Sequence, residues 1–437
     1  MASDPAPLSR PSADRLARLK ALQRPVSAPQ PPKELQYVEA ETRSACAGRV
    51  PLGSERLATL LGATITQNGH GEHLSVQCWQ GEHTPCMPKA SALNLLLPGA
   101  PEEVSDPEQW LFVDTETTGL SGGTGTYPFL VGLAWWERGG LQIEQLFMRE
   151  FSEESSLLAA LAERMERRPV LVTFNGKSFD WPLLETRYRM TRSRSVPAPR
   201  AHLDFLHPAR NLWKLRLGSV RLSQLERHVL GWDRGEDLAS ELIPRIYIDF
   251  VRGGPADPLV PVFLHNQMDL RGLARLAGSI LELLGDEDVD SEDGLELFGL
   301  SRICERRGQL QRARRIYEKS IGLTLPRETD RAARAALARL AKRDGDMDLA
   351  RELWESMLGN SREGYEAYEQ LAIYHEHHAR DIRRAMAVTS EALAQLRRAH
   401  QLRLTTADAY HSAKAKFEYR LQRLERKCKT TTLNLLG

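Results

Sequence analysis

The chain has little cysteine and no long apolar run. Its 437 residues include five cysteines, Cys46, Cys78, Cys86, Cys304 and Cys428, with no C-x-x-C pair among them. An odd, scattered set argues against a disulfide framework and fits thiols kept reduced. Cys78 and Cys86 lie near His70, His73 and His83, but the spacing matches no familiar zinc module. No segment approaches the roughly 18 consecutive apolar residues of a membrane span. The N-terminus carries arginines and prolines without the apolar h-region of a secretory signal, so the expected location is cytoplasmic. An excess of one charge is also missing: 59 Lys and Arg against 58 Asp and Glu leave a net +1. Total charge therefore neither favours nor excludes a nucleic-acid partner, and only local charge can. The glycine-rich 119-GLSGGTG-125 is not followed by Gly-Lys-Ser/Thr, so ATP use is not implied.

The 41% hydrophobic and 27% charged residues suit a globular protein, and the length exceeds one core. Residues 1–36 are rich in Pro, Ala, Ser and Arg and read as a disordered tail. Residues 37–107 read as a small β-containing lead-in packed on the next domain. From 108 to 285 strands and helices alternate. Apolar strands are expected at 111–113, 127–137, 141–151 and 170–174, with Arg138-Gly139-Gly140 turning between the second and third. Leu157, Leu158, Leu161 and Met165 share one face of a helix over 153–168. A long helix is expected from Asp257-Pro258, with Asp257 as its cap, to about Leu284. Acidic 286–293 is the expected linker. From 294 to 437 the pattern is helical with an internal echo: Gly308 and Gly345, Ala313 and Ala350, and Tyr317 and Trp354 share one spacing of 37 residues, and Ala385 stands 35 beyond Ala350. This reads as tetratricopeptide-like (TPR-like) helical hairpins.

Two acids stand out in 111-LFVDTETTGL-120. Side chains alternate along a strand, so Asp114 and Glu116 share a face at the end of an apolar run. Two unpaired carboxylates there are costly when buried. A divalent cation removes that cost, and Mg²⁺ and Mn²⁺ prefer such hard oxygen ligands. In 174-FNGKSFDWPLL-184, Asp180 follows a strand and a turn and opens a helix, where the helix N-terminus favours a carboxylate. In 264-LHNQMDL-270, His265 and Asp269 are four apart and so share a helix face. Taken singly, these are equally a solvated strand end, a helix cap and an exposed His–Asp pair.

In order, the three segments read D-x-E, N-x-x-x-x-D and H-x-x-x-D. DTETTGL, FNGKSFDWPLL and HNQMD resemble the three exonuclease motifs of the DEDD exonucleases, the DnaQ-type branch of the ribonuclease H-like superfamily. With its HLDFLH, RLSQLERHVLG and IPRIY segments and its helical tail, the chain looks like the YprB-type ribonuclease H-like proteins. The resemblance covers roughly 108–285, with the repeats as a second match. It implies an α/β fold, a ribonuclease H-like mixed sheet flanked by helices, followed by an all-α TPR-like domain. It implies that Asp114, Glu116, Asp180 and Asp269 bind two ions, Mg²⁺ or Mn²⁺, for phosphodiester hydrolysis by a two-metal mechanism. Asp114 is then the candidate to bridge both ions. His265 departs from the pattern: His-type members place their histidine five residues before the last Asp, and Tyr-type members a tyrosine four before. The imidazole here serves either as general base or to orient the water.

Residues 186–221 contain nine Arg or Lys and one acid, Asp204. Such a stretch can neutralise phosphates near Asp180, with Trp213, Tyr188 or His207 for base stacking. The alternative is a solvated basic face. Thr117, Asn175, Lys177, Arg187, Arg189, Arg192 and Arg194 are the candidate nucleic-acid contacts. Asp204 reads as a loop-fixing acid in preference to a fifth site acid. The leading expectation is a 3′–5′ exonuclease on single-stranded DNA or RNA ends, with the repeats open to a protein partner. A non-catalytic nucleic-acid-binding scaffold and a structure-selective endonuclease are the alternatives, since fold does not fix function.

Overall fold

The structure is a computed structural model that describes residues 52–81, 87–119, 125–191, 196–235, 237–358 and 365–436. The tail at 1–36, most of the glycine-rich turn, and Arg192 and Arg194 lie outside these residues. Strands β1 (Thr64–Asn68), β2 (Gly71–Gln80), β3 (Trp110–Thr117), β4 (Pro128–Glu137), β5 (Gly140–Phe147), β6 (Val170–Thr173) and β7 (Ala201–Asp204) form one sheet in the order β1-β2-β5-β4-β3-β6-β7. The pairings from β1 to β3 are antiparallel, while β3–β6 and β6–β7 are parallel, so the sheet is mixed. Arg138 and Gly139 join β4 to β5 with φ of 53° and 74°. A two-residue connection with both φ positive matches the twist of the flanking strands and sets their register.

The edge pair is a finding that composition did not anticipate. β2 pairs with β5 from Leu74–Phe147 to Gln80–Leu141. Residues 64–80 of the lead-in thus enter the main sheet as β1 and β2.

Helices α1 (Leu52–Leu61), α2 (Ala90–Leu96), α3 (Glu154–Arg167), α4 (Asp180–Met190), α5 (Leu206–Leu217), α6 (Leu222–His228), α7 (Ile243–Val251) and α8 (Val260–Gly285) flank the sheet. Strand alternation divides them into two cores. Trp110 and Phe112 of β3 point to one core, shared with Leu93, Leu212, Leu225 and Leu273. Leu111 and Val113 point to the other, with Leu57, Leu161, Leu184 and Tyr247. Asp114 and Glu116 have the parity of Phe112, so they continue along the face that α8 covers. Asp257 does not cap α8. A 3₁₀ turn, Asp257–Leu259, precedes the helix, and the Asp257 carboxylate instead pairs with Arg56 at 2.9 Å.

Beyond the sheet run α9 (Gly294–Arg306), α10 (Leu310–Ile321), α11 (Arg327–Arg343), α12 (Met347–Ser356), α13 (Tyr365–Ile373), α14 (Ile382–Gln401) and α15 (Ala407–Leu436). The sequence echo has a physical basis. Gly308 and Gly345 follow α9 and α11 with φ of 75° and 84°, a conformation that glycine adopts without a Cβ penalty. Ala313, Ala350 and Ala385 are fully buried, and Tyr317 and Trp354 nearly so. The acidic connector is pinned despite its charge. Asp293 caps α9 by accepting the Leu295 and Glu296 N–H groups at 2.9 and 3.1 Å, Arg216 pairs with it at 2.7 Å, and Val289 is buried.

α9 docks directly on α5. A Cβ on Gly299 would lie 2.2 Å from the Asn211 carbonyl oxygen and 2.9 Å from the Leu212 Cα. These are backbone atoms and cannot rotate aside. In a free helix Gly→Ala gains about 1 kcal/mol. Gly299→Ala is instead expected to lose stability, by about 1–3 kcal/mol from overpacking. A denaturant midpoint equal to or above that of the native chain would contradict this docking.

Candidate active site

The acids emerge where β3 changes from buried to half-buried along its length. The β3–β4 register shifts between Glu116 and Thr117, an irregularity of the kind that re-aims side chains beside sites. Asp180 is the first residue of α4, and Thr115 Oγ1 donates to its Oδ1 at 2.5 Å. One hydroxyl thus ties the α4 start to β3.

α8 supplies the remaining groups, and its register on the sheet is locked. A Cβ on Gly132 of β4 would lie 2.2 Å from Asn266 Oδ1, so only glycine lets the helix approach this closely. Asn266, fully buried, donates from Nδ2 to Asp114 Oδ2 at 2.8 Å and accepts from Gln145 Nε2 at 2.8 Å. His265 immediately precedes this anchor, and Asp269 lies one turn beyond His265. His265 Nε2 lies 3.6 Å from Asp269 Oδ2 and 3.9 Å from Glu116 Oε1. Asp114, Glu116, Asp180, His265 and Asp269, drawn from three segments, therefore share one end of β3.

Their electrostatics are those of crowded like charges. Burial, then the charges of Asp269 and Asp180, pushes the Asp114 carboxyl well above the usual carboxylate range. Burial, then Asp114 and Asp269, does the same to Glu116. Asp180 is raised by burial, opposed by its hydrogen bond from Thr115. Four carboxylates in one field are the hard-oxygen donor set that a divalent cation requires, so the residues fit such an ion in kind. As they stand, no three acidic, histidine or cysteine side chains among the described residues are already closed around one ion position.

Three groups at this site, Asp237, Arg234 and Glu226, are not among the candidates that the sequence singles out. Asp237 accepts from His265 Nδ1 at 2.7 Å. A carboxylate can only accept, so Nδ1 bears a proton, and Nε2 faces Glu116 and Asp269. Burial alone would raise the Asp237 carboxyl, but the His265 hydrogen bond and the charges of His265 and Arg234 hold it below the usual value. Arg234, 5% exposed, is the counter-cation: it bonds Asp269 Oδ1 at 2.5 Å, Asp237 Oδ2 at 3.3 Å and both oxygens of Glu226. Glu226 is fully buried, and burial lifts its carboxyl to about 7 against the pull of Arg234. Glu226 and Asn266 sit inside RLSQLERHVLG and HNQMD. Asp237 lies in a short connector where neither spacing nor periodicity marks it.

The candidate nucleic-acid contacts divide. Lys177 and Arg189 are exposed, the latter 3.9 Å from Glu185. Thr117 Oγ1 donates to the Gly119 carbonyl at 2.8 Å. Asn175 is left-handed, with φ of 72°, and Asp204 holds it there by accepting the Asn175 and Lys177 N–H groups at 2.8 and 3.0 Å. Arg187 is placed otherwise than expected. It is 2% exposed, bonded through Nη2 to Glu154 at 2.6 Å, and its guanidinium lies 3.7 Å over the Tyr127 ring, so it serves the core and not a phosphate. Trp213 and Tyr188 are likewise buried, donating to Glu296 and to the Leu158 carbonyl. The basic run was one-dimensional information; helical periodicity turns Arg187 inward and Arg189 outward.

A mixed sheet with helices on both faces and acids at the end of its interior strand β3 defines the class. Residues 111–281 match the RNase_H superfamily, and the chain belongs to that family. It is similar to the Uncharacterized protein YprB of Bacillus subtilis (strain 168), with 31% identity over 290 residues, 65% of this chain and 68% of that one. The fold supports a nuclease-type hydrolase acting on nucleic acid. Among the described residues no helix is long and apolar enough to cross a membrane.

Proposed function

We propose that the chain is a metal-dependent 3′–5′ exonuclease acting on single-stranded DNA or RNA ends. The observation that carries this reading is the convergence of Asp114, Glu116, Asp180 and Asp269 on one end of β3, with Asp114 and Glu116 raised by burial and by the neighbouring acids. Asp114, Glu116 and Asp269 would hold one Mg²⁺ or Mn²⁺, and Asp114 with Asp180 a second. The ions, when bound, supply the positive charge that a phosphodiester needs as it is hydrolysed.

The chain's own groups supply orientation and proton transfer. His265 Nε2 takes the proton of the attacking water, and Asp237 keeps Nδ1–H in place so that this nitrogen is free to accept. Asn266 fixes Asp114, Thr115 fixes Asp180, and Arg234 occupies one oxygen of Asp269 and leaves the other facing the cleft. Lys177 and Arg189, with Arg192 and Arg194, steer the phosphates. Phe179, 60% exposed beside Asp180, offers a face for base stacking. The helical region, of tetratricopeptide type, shapes entry or receives a protein partner.

The test is a panel of end-labelled linear and circular strands with each metal. Stepwise loss of nucleotides from the 3′ end of linear strands alone supports the proposal. Nicked circles would make it an endonuclease. Binding without cutting under every condition would make it a scaffold.

A further inference from the structure

We propose that the cavity between the sheet and the first C-terminal helix, α9, receives one nucleotide unit of the strand being cleaved. This makes the helical region part of the substrate track, and it rests on the nuclease reading above. The cavity measures about 500 Å³ and lies between the α2 end, the turn after β6, the start of α5 and the end of α9.

Three observations point to a nucleotide. The first is continuity with the acids: Lys177 lines the cavity and stands three residues before Asp180 on the same turn. Asp204 rigidly holds that turn through the Asn175 and Lys177 N–H groups. The second is charge. Lys177, Arg306 and Arg307 line the cavity against one acid, Asp204. That acid is already occupied, because it accepts a third N–H from Leu206 at 3.0 Å as well. The arginines are placed in advance: Arg307 donates to the Leu95 and Leu96 carbonyls at 2.8 and 3.1 Å, and Arg306 to Asn211 Oδ1 at 3.0 Å. The third is an apolar part of the lining, where Leu96 and Leu97 are half-buried beside the Arg307 guanidinium. Cations and apolar side chains lining one cavity are what a phosphate joined to a base requires. The close backbone docking at Gly299 holds α9, which ends at Arg306, against α5, whose start lines the same cavity.

Free nucleotides and nucleotides within a strand share this chemistry, and the experiment separates them. Binding is measured by fluorescence anisotropy on the full chain carrying Asp114→Asn, with and without Arg306→Glu. The ligands are a single-stranded oligomer of about a dozen nucleotides, long enough for an extended track, a dinucleotide, and a free mononucleotide. Arg306→Glu is expected to weaken the long strand about 10-fold at low salt, to lower its salt slope by about one, as for loss of one phosphate contact, and to leave the dinucleotide unchanged. Arg306→Lys, which keeps the charge, should restore most of the binding. Equal weakening of dinucleotide and long strand, or no weakening of the long strand, would overturn the proposal. So would a mononucleotide that binds as tightly as the long strand and with the same dependence on Arg306. Because no turnover is needed, a chain that binds with this length dependence yet never cleaves would remove the exonuclease reading and leave the cavity assignment standing.

Discussion

Asp114→Asn is expected to abolish cation-dependent cleavage, by on the order of 10²–10³-fold or more, while raising the melting temperature of the metal-free protein at neutral pH. The two effects share one cause. Burial and the neighbouring Asp269 and Asp180 raise the Asp114 carboxyl well above its ordinary value. A group raised on folding contributes stability that is fully present below the unfolded pKa, roughly 4 for aspartate. That stability is lost as pH rises through the folded value. At neutral pH, above the unfolded value, Asp114 is therefore a net cost to the metal-free fold. Asparagine removes the charge and keeps an oxygen for the Asn266 amide, which now donates to Asp114 Oδ2 at 2.8 Å. The native chain should also melt higher at mildly acid pH than at neutral pH when metal is removed, and this dependence should flatten in the variant. Added Mn²⁺ should stabilise the native chain, by about 2.7 kcal/mol at a hundredfold excess over its dissociation constant, and the variant much less. Melts with and without metal across this pH range, alongside cleavage assays, check each part. A variant that still cleaves, or that melts below the native chain without metal, would mean the acids do not form this repelling cluster.

Asp237→Asn is expected to slow the chemical step by about 10–100-fold, the usual effect of losing a supporting partner at such a site, with little change in KM. The carboxylate can only accept a hydrogen bond, so it holds the His265 proton on Nδ1. An amide can donate to Nδ1 instead, which would put the proton on Nε2, the nitrogen that faces Glu116 and Asp269 at 3.9 and 3.6 Å, and leave it unable to accept one. On the proposed role of His265 as base, Asp237 acts through it, and the two substitutions should not add. Single-turnover rates for Asp237→Asn, His265→Ala and the double variant decide this. If the double variant is slower than His265→Ala by the full factor of Asp237→Asn, then Asp237 works by another route, such as its contact with Arg234 at 3.3 Å.

The strands β3 to β6 and helix α3 were legible because each buries its own apolar pattern. Val113 and Leu161 declare their faces by local period alone. β1 and β2 were not legible as part of the same sheet, because edge pairing is made by backbone hydrogen bonds to β5, a partner distant along the chain. Asp257 looked like a cap and is not one, since an ion pair with Arg56 competes for its carboxylate. The basic run concealed a division that only packing makes: Arg189 faces water, and Arg187 closes a buried pair with Glu154.

By itself the amino-acid order determined the chemical kinds at the cleft, two acids in D-x-E, a third at a helix start, and a histidine four before a fourth. Residue type and short spacing are local properties, and they survive without a fold. Only the tertiary structure decided which neighbours those acids have. The closeness of α8 to β4 at Gly132, the proton position on His265 set by Asp237, and the Arg234 counter-charge on Asp269 each join segments far apart in the chain. Electrostatic energies depend on distance in space and on exclusion of water, and neither is written along a sequence.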